Sequence, residues 1–174
     1  MVLLYSGFSC MYLKKLGIIN HRSCQKVLLD LARDKPTTLI GINDSGKSTI
    51  LKSIGLLLDP KPSFNICSET RFTSDVSNTP LPEEEYNDLF LSLHLPIFPY
   101  SPSSTLVIGE LAIEENDLTT EFEGQASDAF KWAIENGQDG SVFLLRQYDN
   151  SSVTGRYFLC LGESSPPMEL WTKK

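Results

Sequence analysis

Residues 41–48 of the chain, GINDSGKS, fit the pattern G-x-x-x-x-G-K-[ST]. The pattern also occurs by chance, so the flanking sequence decides its meaning. Residues 37–40 are a short β-branched and apolar run, which predicts a buried strand that ends at the first glycine. Apolar residues then recur at helical spacing over residues 50–58, and Pro60 ends the predicted helix. Strand, loop and helix together predict a phosphate-binding loop, or P-loop, at residues 41–49.

The chemistry of phosphate binding explains this order of residues. Glycines let the loop wrap closely, so that successive N–H groups point at phosphate oxygens. The N-terminus of the following helix adds its partial positive charge. We expect Lys47 to reach the β- and γ-phosphates of a nucleoside triphosphate and the Ser48 hydroxyl to ligate Mg²⁺. The predicted binding residues in the loop are Gly41, Asn43, Asp44, Ser45, Gly46, Lys47, Ser48 and Thr49.

The charge of the chain is unevenly spread. The 174 residues fit one domain, and their formal net charge of −7 argues against a generally nucleic-acid-binding surface. Residues 1–71 carry ten Lys and Arg against five Asp and Glu, whereas residues 72–174 carry five against seventeen. The basic first part suits an anionic ligand such as a nucleotide. An uneven solvated surface is the alternative interpretation.

Cysteine usage and hydropathy indicate the compartment. The cysteines form no CxxC pair, which predicts reduced thiols rather than a metal site or disulfides; they are Cys10, Cys24, Cys67 and Cys160. No stretch approaches the ~18 apolar residues of a membrane span, and the opening lacks the basic region of a signal peptide. We therefore predict a cytoplasmic protein without a membrane part. The patterned sequence begins at Tyr12, so residues 1–11 are predicted to be an extension outside the core.

The remaining elements are predicted from hydrophobic periodicity and turn residues. Residues 162–174 show no clear element. The predicted strands are 12–19, 26–32 and 105–113, with a hairpin of 141–148 and 156–161, and the predicted helices are 82–93 and 127–136.

Residues 12–58 resemble the N-terminal segment of the ABC-like ATPases grouped with the SMC, DNA-repair and OLD-type proteins. In that group a first strand ends in a motif like N-[FY]-[RK]-S, and a loop G-x-N-[GDE]-[SA]-G-K-S-T follows a second strand. This chain has NHRS at residues 20–23 and GINDSGKST at residues 41–49. Asn43 and Asp44 favour this group over GTPases and RecA-like ATPases.

The resemblance implies an α/β P-loop NTPase fold with a mixed parallel and antiparallel sheet, which binds ATP with Mg²⁺. By position, Arg22 and Ser23 would contact the nucleotide from the side, as a guanidinium near a polyphosphate can. A solvated turn is the alternative interpretation of Arg22. His21 departs from the usual aromatic residue and is expected to pack in its place. In the family such heads dimerise around two ATP molecules, which implies a homodimer and a DNA or nuclease partner for the full-length protein.

The Walker B strand of the family, four apolar residues ending in Asp and usually followed by a catalytic Glu, has no good match. Residues 106–110, LVIGE, have Gly109 where the Asp belongs, and residues 27–30, VLLD, lie before the P-loop. No glutamine closely follows the first helix, and no serine-rich signature is present. The catalytic residues are therefore unknown. Residues 12–174 are predicted to be an incomplete ATPase head that binds ATP but hydrolyses it poorly.

Two other classes of protein remain open. The chain could be a stand-alone nucleotide-binding regulatory module whose site is completed by a partner chain. A P-loop kinase would need a lid with arginines after the first helix, and Arg71 alone supports that reading.

Overall fold

The fold is seen in a computed structural model, which describes residues 12–33, 35–41, 46–58, 79–112, 131–132, 135, 141–149, 155–163 and 166–170. The elements within these residues are β1 (Tyr12–His21), β2 (Cys24–Asp30), α1 (Lys47–Leu58), α2 (Glu83–Ser92), β3 (Thr105–Ala112), β4 (Ser141–Tyr148), β5 (Arg156–Cys160) and β6 (Met168–Leu170).

The strands form one sheet in the order β2-β1-β3-β4-β5-β6. Every neighbouring pair is antiparallel, including the predicted hairpin of β4 and β5. The α/β class is confirmed. The expected mixed sheet is wrong for the described part of the chain, in which no two strands are parallel.

The prediction of a buried strand at residues 37–40 is also wrong. The structure shows no strand there, and the Ile40 side chain is 91% exposed. A parallel strand needs paired neighbours and cover on both faces of its sheet. The described residues provide neither for this run, although its β-branched composition fits a strand.

Both faces of the antiparallel sheet are covered, because successive residues of each strand point to opposite faces. Helix α1 packs on the first face, whose buried residues include Leu16, Ile18, Val107 and Leu144. Helix α2 and residues 95–100 pack on the second face, whose buried residues include Ile19, Leu106, Ile108 and Phe98. The result is a three-layer arrangement in which β3 and β4 are almost wholly buried.

A glycine in β3 lets α1 lie close to the sheet. A Cβ atom at Gly109 would stand 2.3 Å from Leu57 Cδ2 and 2.8 Å from Leu13 Cδ1. Leu57 is fully buried, so it has little room to move away. The glycine that stands in the Walker B-like stretch is thus explained by helix packing.

The last turn of α1 is bound to β4 through one carbonyl group. Arg146 and Tyr148 both donate hydrogen bonds to the carbonyl oxygen of Leu56. Both side chains are fully buried, and the Arg146 guanidinium lies 4.9 Å from the Tyr148 ring centroid and 4.3 Å from that of Tyr157. A cation at a helix C-terminus interacts favourably with the helix dipole, and the two rings favour the cation through their π-faces.

Most predicted elements are confirmed in type, with shifted ends. β1 runs two residues further than predicted and β2 begins two residues earlier, so they meet across a two-residue turn. The three-residue edge strand β6 was missed, because so short a segment carries no readable alternation. The extension at residues 1–11 and most of the helix predicted at 127–136 lie outside the described residues.

A pair of Gly→Ala substitutions tests how α1 packs on β3. Gly109→Ala should destabilise the fold by about 1–3 kcal/mol, because its methyl group overlaps the buried Leu57 side chain. Gly55→Ala adds the same methyl within α1, where no atom lies within 4 Å, and should stabilise by about 0.5–1 kcal/mol. Urea unfolding measures the change in the free energy of unfolding for each variant. Equal effects of the two substitutions would contradict the close packing at Gly109.

Candidate functional site

The turn between β1 and β2 is strained. His21 pairs with Cys24, which leaves Arg22 and Ser23 as the two turn residues. Asn20 and Arg22 have φ angles of 53° and 50°, although neither is glycine. Positive φ costs a non-glycine residue about 1–2 kcal/mol, and such strain concentrates at functional sites.

Contacts on the second face of the sheet hold Asn20 in this conformation. Its Oδ1 atom accepts a hydrogen bond from the N–H of Leu81 at 2.9 Å, and its carbonyl accepts one from the Thr105 hydroxyl at 2.6 Å. Among the described residues no hydrogen-bond partner lies beside its buried Nδ2 atom. The strained residue is therefore fixed from the second face, and the turn that follows it projects toward α1.

The last glycine of the P-loop motif lies directly against this turn. Gly46 has a φ of 89°, and its carbonyl accepts the first helical hydrogen bond of α1, from the N–H of Ile50. A Cβ atom here would lie 3.0 Å from Cys24 Sγ and 3.3 Å from Ser23 Oγ. Both the backbone angle and the close contact therefore require glycine. The structure thus brings Ser23 next to the start of the helix, as the sequence motif suggests.

The Lys47 side chain reaches the first glycine of the motif. Its Nζ atom donates a hydrogen bond to the carbonyl oxygen of Gly41 at 2.5 Å. This places an ammonium group between the first glycine of the motif and the start of α1. The first turn of the helix contains no acidic residue, so no carboxylate of that turn opposes an anion. Three predicted loop residues lie outside the described part of the chain, namely Asn43, Asp44 and Ser45.

The two hydroxyl residues after Lys47 have different surroundings. Ser48 is exposed at the start of α1. Thr49 is 5% exposed, and its carbonyl accepts a hydrogen bond from the Ser53 hydroxyl at 2.9 Å. Of the two, Ser48 is therefore the hydroxyl available to a ligand.

A buried histidine links the turn to α1, and sequence reasoning missed this contact. His21 Nδ1 lies 2.6 Å from Ser53 Oγ, and both side chains are essentially fully buried. Two sequence signals could have indicated it. A polar residue, His21, replaces the family's aromatic residue, and Ser53 lies on the buried side of the predicted helix.

The residues fit a magnesium ion that arrives with a nucleotide. Mg²⁺ prefers oxygen ligands and is commonly held by one or two protein oxygens together with phosphates and water. Ser48 offers one exposed hydroxyl, and no group of three or more metal-ligating side chains occurs in the described part of the chain. Such a set suits an ion shared with phosphates rather than a cage built by protein alone.

Both Walker B-like stretches lie far along the sheet from the turn that contacts Gly46. Asp30 and Glu110 both lie opposite Lys15, six residues along β1 from His21 at the turn. At about 3.3 Å per residue this separation is roughly 20 Å along the sheet. These carboxylates therefore cannot orient a water molecule at a phosphate held by Lys47.

Glu110 instead forms a structural ion pair. Its carboxylate lies 2.7 Å from Lys14 Nζ and 3.5 Å from Lys15 Nζ, and a register shift in β1 lets both adjacent lysines reach it. Burial acts to raise the pKa of Glu110. The hydrogen bond from Lys14, the charges of both lysines and a hydrogen bond with Ser141 outweigh it, so the pKa lies below its ordinary value of 4.5.

A groove of about 730 Å³ opens near the start of β5, away from the motif. It contains no residue of the turn or of the P-loop motif. Its lining residues include Phe98, Tyr100, Gln147, Asp149, Arg156 and Phe158. Within it Arg156 is already bonded to Gln147 at 2.8 Å and to Asp149 at 3.3 Å.

Comparisons with known proteins agree with the sequence motifs. Residues 11–151 match the AAA ATPase domain family, and the chain belongs to that family. Twelve chains of solved structures also match. One comes from work on the ATP-driven dimerization and DNA-stimulated activation of SMC ATPases. It is 16% identical with a TM-score of 0.52, and the match covers 90% of this chain and 72% of that chain. No curated protein matches.

The family match and the fold of the SMC ATPase confirm the resemblance to the SMC and OLD-type, ABC-like ATPases. In the described part of the chain, no helix is long and apolar enough to cross a membrane.

Glu110→Gln tests the ion pair through its pH dependence. The folded-state pKa is lowered, so the ionised carboxylate stabilises the fold above pH 4.5, and this contribution is lost as pH falls through the folded-state pKa. We expect the substitution to cost about 1 kcal/mol at pH 7, since both lysines are half-exposed. In acid the free energies of unfolding of wild type and Glu110→Gln should converge, as urea unfolding at several pH values would show. A difference that persists unchanged well below pH 4.5 would contradict the ion pair.

Proposed function

We propose that the chain binds ATP with Mg²⁺ through the P-loop at residues 41–49, and that it forms the N-terminal portion of an ABC-like ATPase head. The observation that carries the proposal is the position of Lys47. Its ammonium group lies across the motif on the Gly41 carbonyl, at a helix start free of acidic residues. A phosphate group can replace that carbonyl as the partner of the lysine, while the helix N–H groups bind its oxygens.

The strained turn supports the same assignment. Ser23 lies against Gly46, and the preceding residue Arg22 is held at positive φ. An arginine held beside a phosphate loop suits a second, lateral contact with the nucleotide. Arg22 and Ser23 are therefore proposed to bind the nucleotide from the side, together with Asn43, Asp44 and Ser45 of the loop. Ser48 is proposed to ligate Mg²⁺.

The catalytic carboxylate is proposed to come from another segment. Water attack on a phosphate needs a group that orients and deprotonates the water, and Asp30 and Glu110 lie about 20 Å away along the sheet. The described residues alone therefore support binding of ATP rather than rapid hydrolysis.

Exposed apolar side chains mark where the second part of the head would pack. Ile40 is 91% exposed beside the motif, and Leu51 and Leu58 on α1 are 64% and 46% exposed. The two leucines are seven residues apart and thus lie on one side of the helix. A strand paired alongside residues 37–40 would cover Ile40 and bring a carboxylate toward the phosphates.

In the full-length protein we propose a cytoplasmic, homodimeric ATPase that couples ATP binding to work on DNA or to a nuclease partner. The structurally similar protein was studied for ATP-driven dimerization and DNA stimulation. The alternative is a nucleotide-binding regulatory module completed by a partner chain. The exposed Ile40 could be covered either by another segment of the same protein or by a partner chain, so it fits both proposals. An apolar strand ending Asp-Glu and a serine-glycine signature, encoded after residue 174, would favour the first.

A thermal shift assay tests nucleotide binding. Mg²⁺–ATP at about 100 times its Kd should stabilise the chain by about 2.7 kcal/mol, which corresponds to a rise in Tm of roughly 5–10 °C. Lys47→Ala should abolish the rise, because it removes the ammonium group at the phosphates. Lys52→Ala, which removes a lysine from the same helix outside the motif, is the matched control and should keep the rise. Equal stabilisation of wild type and Lys47→Ala would refute the assignment.

Phosphate release tests the proposal that the chain is catalytically incomplete. The purified chain of residues 1–174 should turn over well below the ~1 s⁻¹ at the low end of ordinary enzymes, since Asp30 and Glu110 of the described Walker B-like stretches lie far from Lys47. Lys47→Ala serves as the blank for contaminating ATPases. Turnover of several per second that disappears in Lys47→Ala would overturn the proposal.

A further inference from the structure

The contact between His21 and Ser53 has a defined proton arrangement. Ser53 donates to the Thr49 carbonyl at 2.9 Å, and a hydroxyl group has only one proton. With that proton on the Thr49 carbonyl, the Ser53 oxygen accepts, so we assign the donor of the 2.6 Å contact to His21 Nδ1. The buried chain of hydrogen bonds runs from the end of β1 through the Ser53 side chain to the first turn of α1.

The chain of hydrogen bonds joins the two parts of the proposed nucleotide site. His21 directly precedes Arg22, and Thr49 directly follows Ser48. The Cys24 Sγ atom lies 4.0 Å from the Gly46 carbonyl oxygen, on the other side of the turn. The turn is thus attached to α1 on both sides, through His21 and through Cys24. A shift of His21 would move the arginine relative to the lysine of the motif.

We infer that His21 is a positioning residue for nucleotide binding: its hydrogen bond to Ser53 fixes the Arg22 turn against α1, so that Arg22 and Lys47 bind the same triphosphate. This inference rests on the proposed ATP binding. Positive φ at Arg22 fits it, because a strained conformation persists only where the surroundings determine it.

Two substitutions of His21 separate the hydrogen bond from packing. His21→Asn keeps an N–H donor near the position of Nδ1 but loses the ring, whereas His21→Phe keeps a ring of similar size and loses the donor. Titration calorimetry with Mg²⁺–ATP measures the Kd of each. We expect His21→Phe to weaken binding about tenfold, because it loses the hydrogen bond to Ser53. His21→Asn keeps a donor and should bind within about threefold of wild type.

A double-mutant cycle provides the readout that a purely structural role would not change. Arg22→Ala should weaken binding at least about tenfold in the wild-type background, as loss of a charge-assisted phosphate contact does. In the Ser53→Ala background, where the turn loses its attachment through His21, the same substitution should weaken binding less than about threefold. Ser53→Ala keeps a good helix former, so this arm remains informative if His21→Phe does not fold.

The outcomes distinguish this inference from the proposed function. If wild type does not bind Mg²⁺–ATP, or binds it as Lys47→Ala does, the proposed function fails. If binding depends on Lys47 but Arg22→Ala costs the same in both backgrounds, the positioning role fails alone. The positioning role also fails if affinity depends on the ring rather than on the donor, so that His21→Phe binds nearly as wild type does and His21→Asn binds weakly.

Discussion

Helix α1 is fixed to the sheet at both ends, and the rest of the site depends on this attachment. At its start Gly46 lies against Cys24 and Ser23, and in its middle the Ser53 hydroxyl contacts His21. In its last turn the Leu56 carbonyl accepts hydrogen bonds from β4. In the same turn the absence of a side chain at Gly109 lets Leu57 approach β3 closely. A phosphate-binding loop can thus be preorganised, because the helix that follows it cannot slide or rotate freely.

The C-terminal attachment uses a buried charge. Arg146 is fully buried, and a guanidinium group removed from water is costly unless its surroundings replace the lost hydration. The Leu56 carbonyl at the negative end of the helix dipole and the faces of Tyr148 and Tyr157 provide part of that replacement. The carbonyl in turn receives donors that water would otherwise supply at a helix end. The same contact therefore satisfies the helix terminus and the buried cation.

The antiparallel sheet positions the turn beside Gly46, whereas two of its carboxylates lie far from that turn. Asp30 and Glu110, which lie opposite Lys15, are roughly 20 Å along the strands from the turn at His21, and Glu110 pairs with two lysines. Among the exposed apolar residues of the described chain, Ile40 beside the motif and Leu51 on α1 are the two most exposed. The strained turn, the buried hydrogen bonds of His21 and Ser53 and the start of α1 thus lie together at one end of the sheet.

The sequence alone determined what depends on short-range pattern. The spacing of glycines and Lys47 predicted the helix start of the loop, and apolar patterns with turn residues predicted five of the six described strands, because these signals are local. Tertiary structure decided the rest. Residues 37–40 have strand composition but lack described neighbours, so they are not a strand, and LVIGE resembles Walker B but lies antiparallel beside β1. Likewise His21 and Ser53 are 32 residues apart, and only packing of α1 on β1 makes them partners.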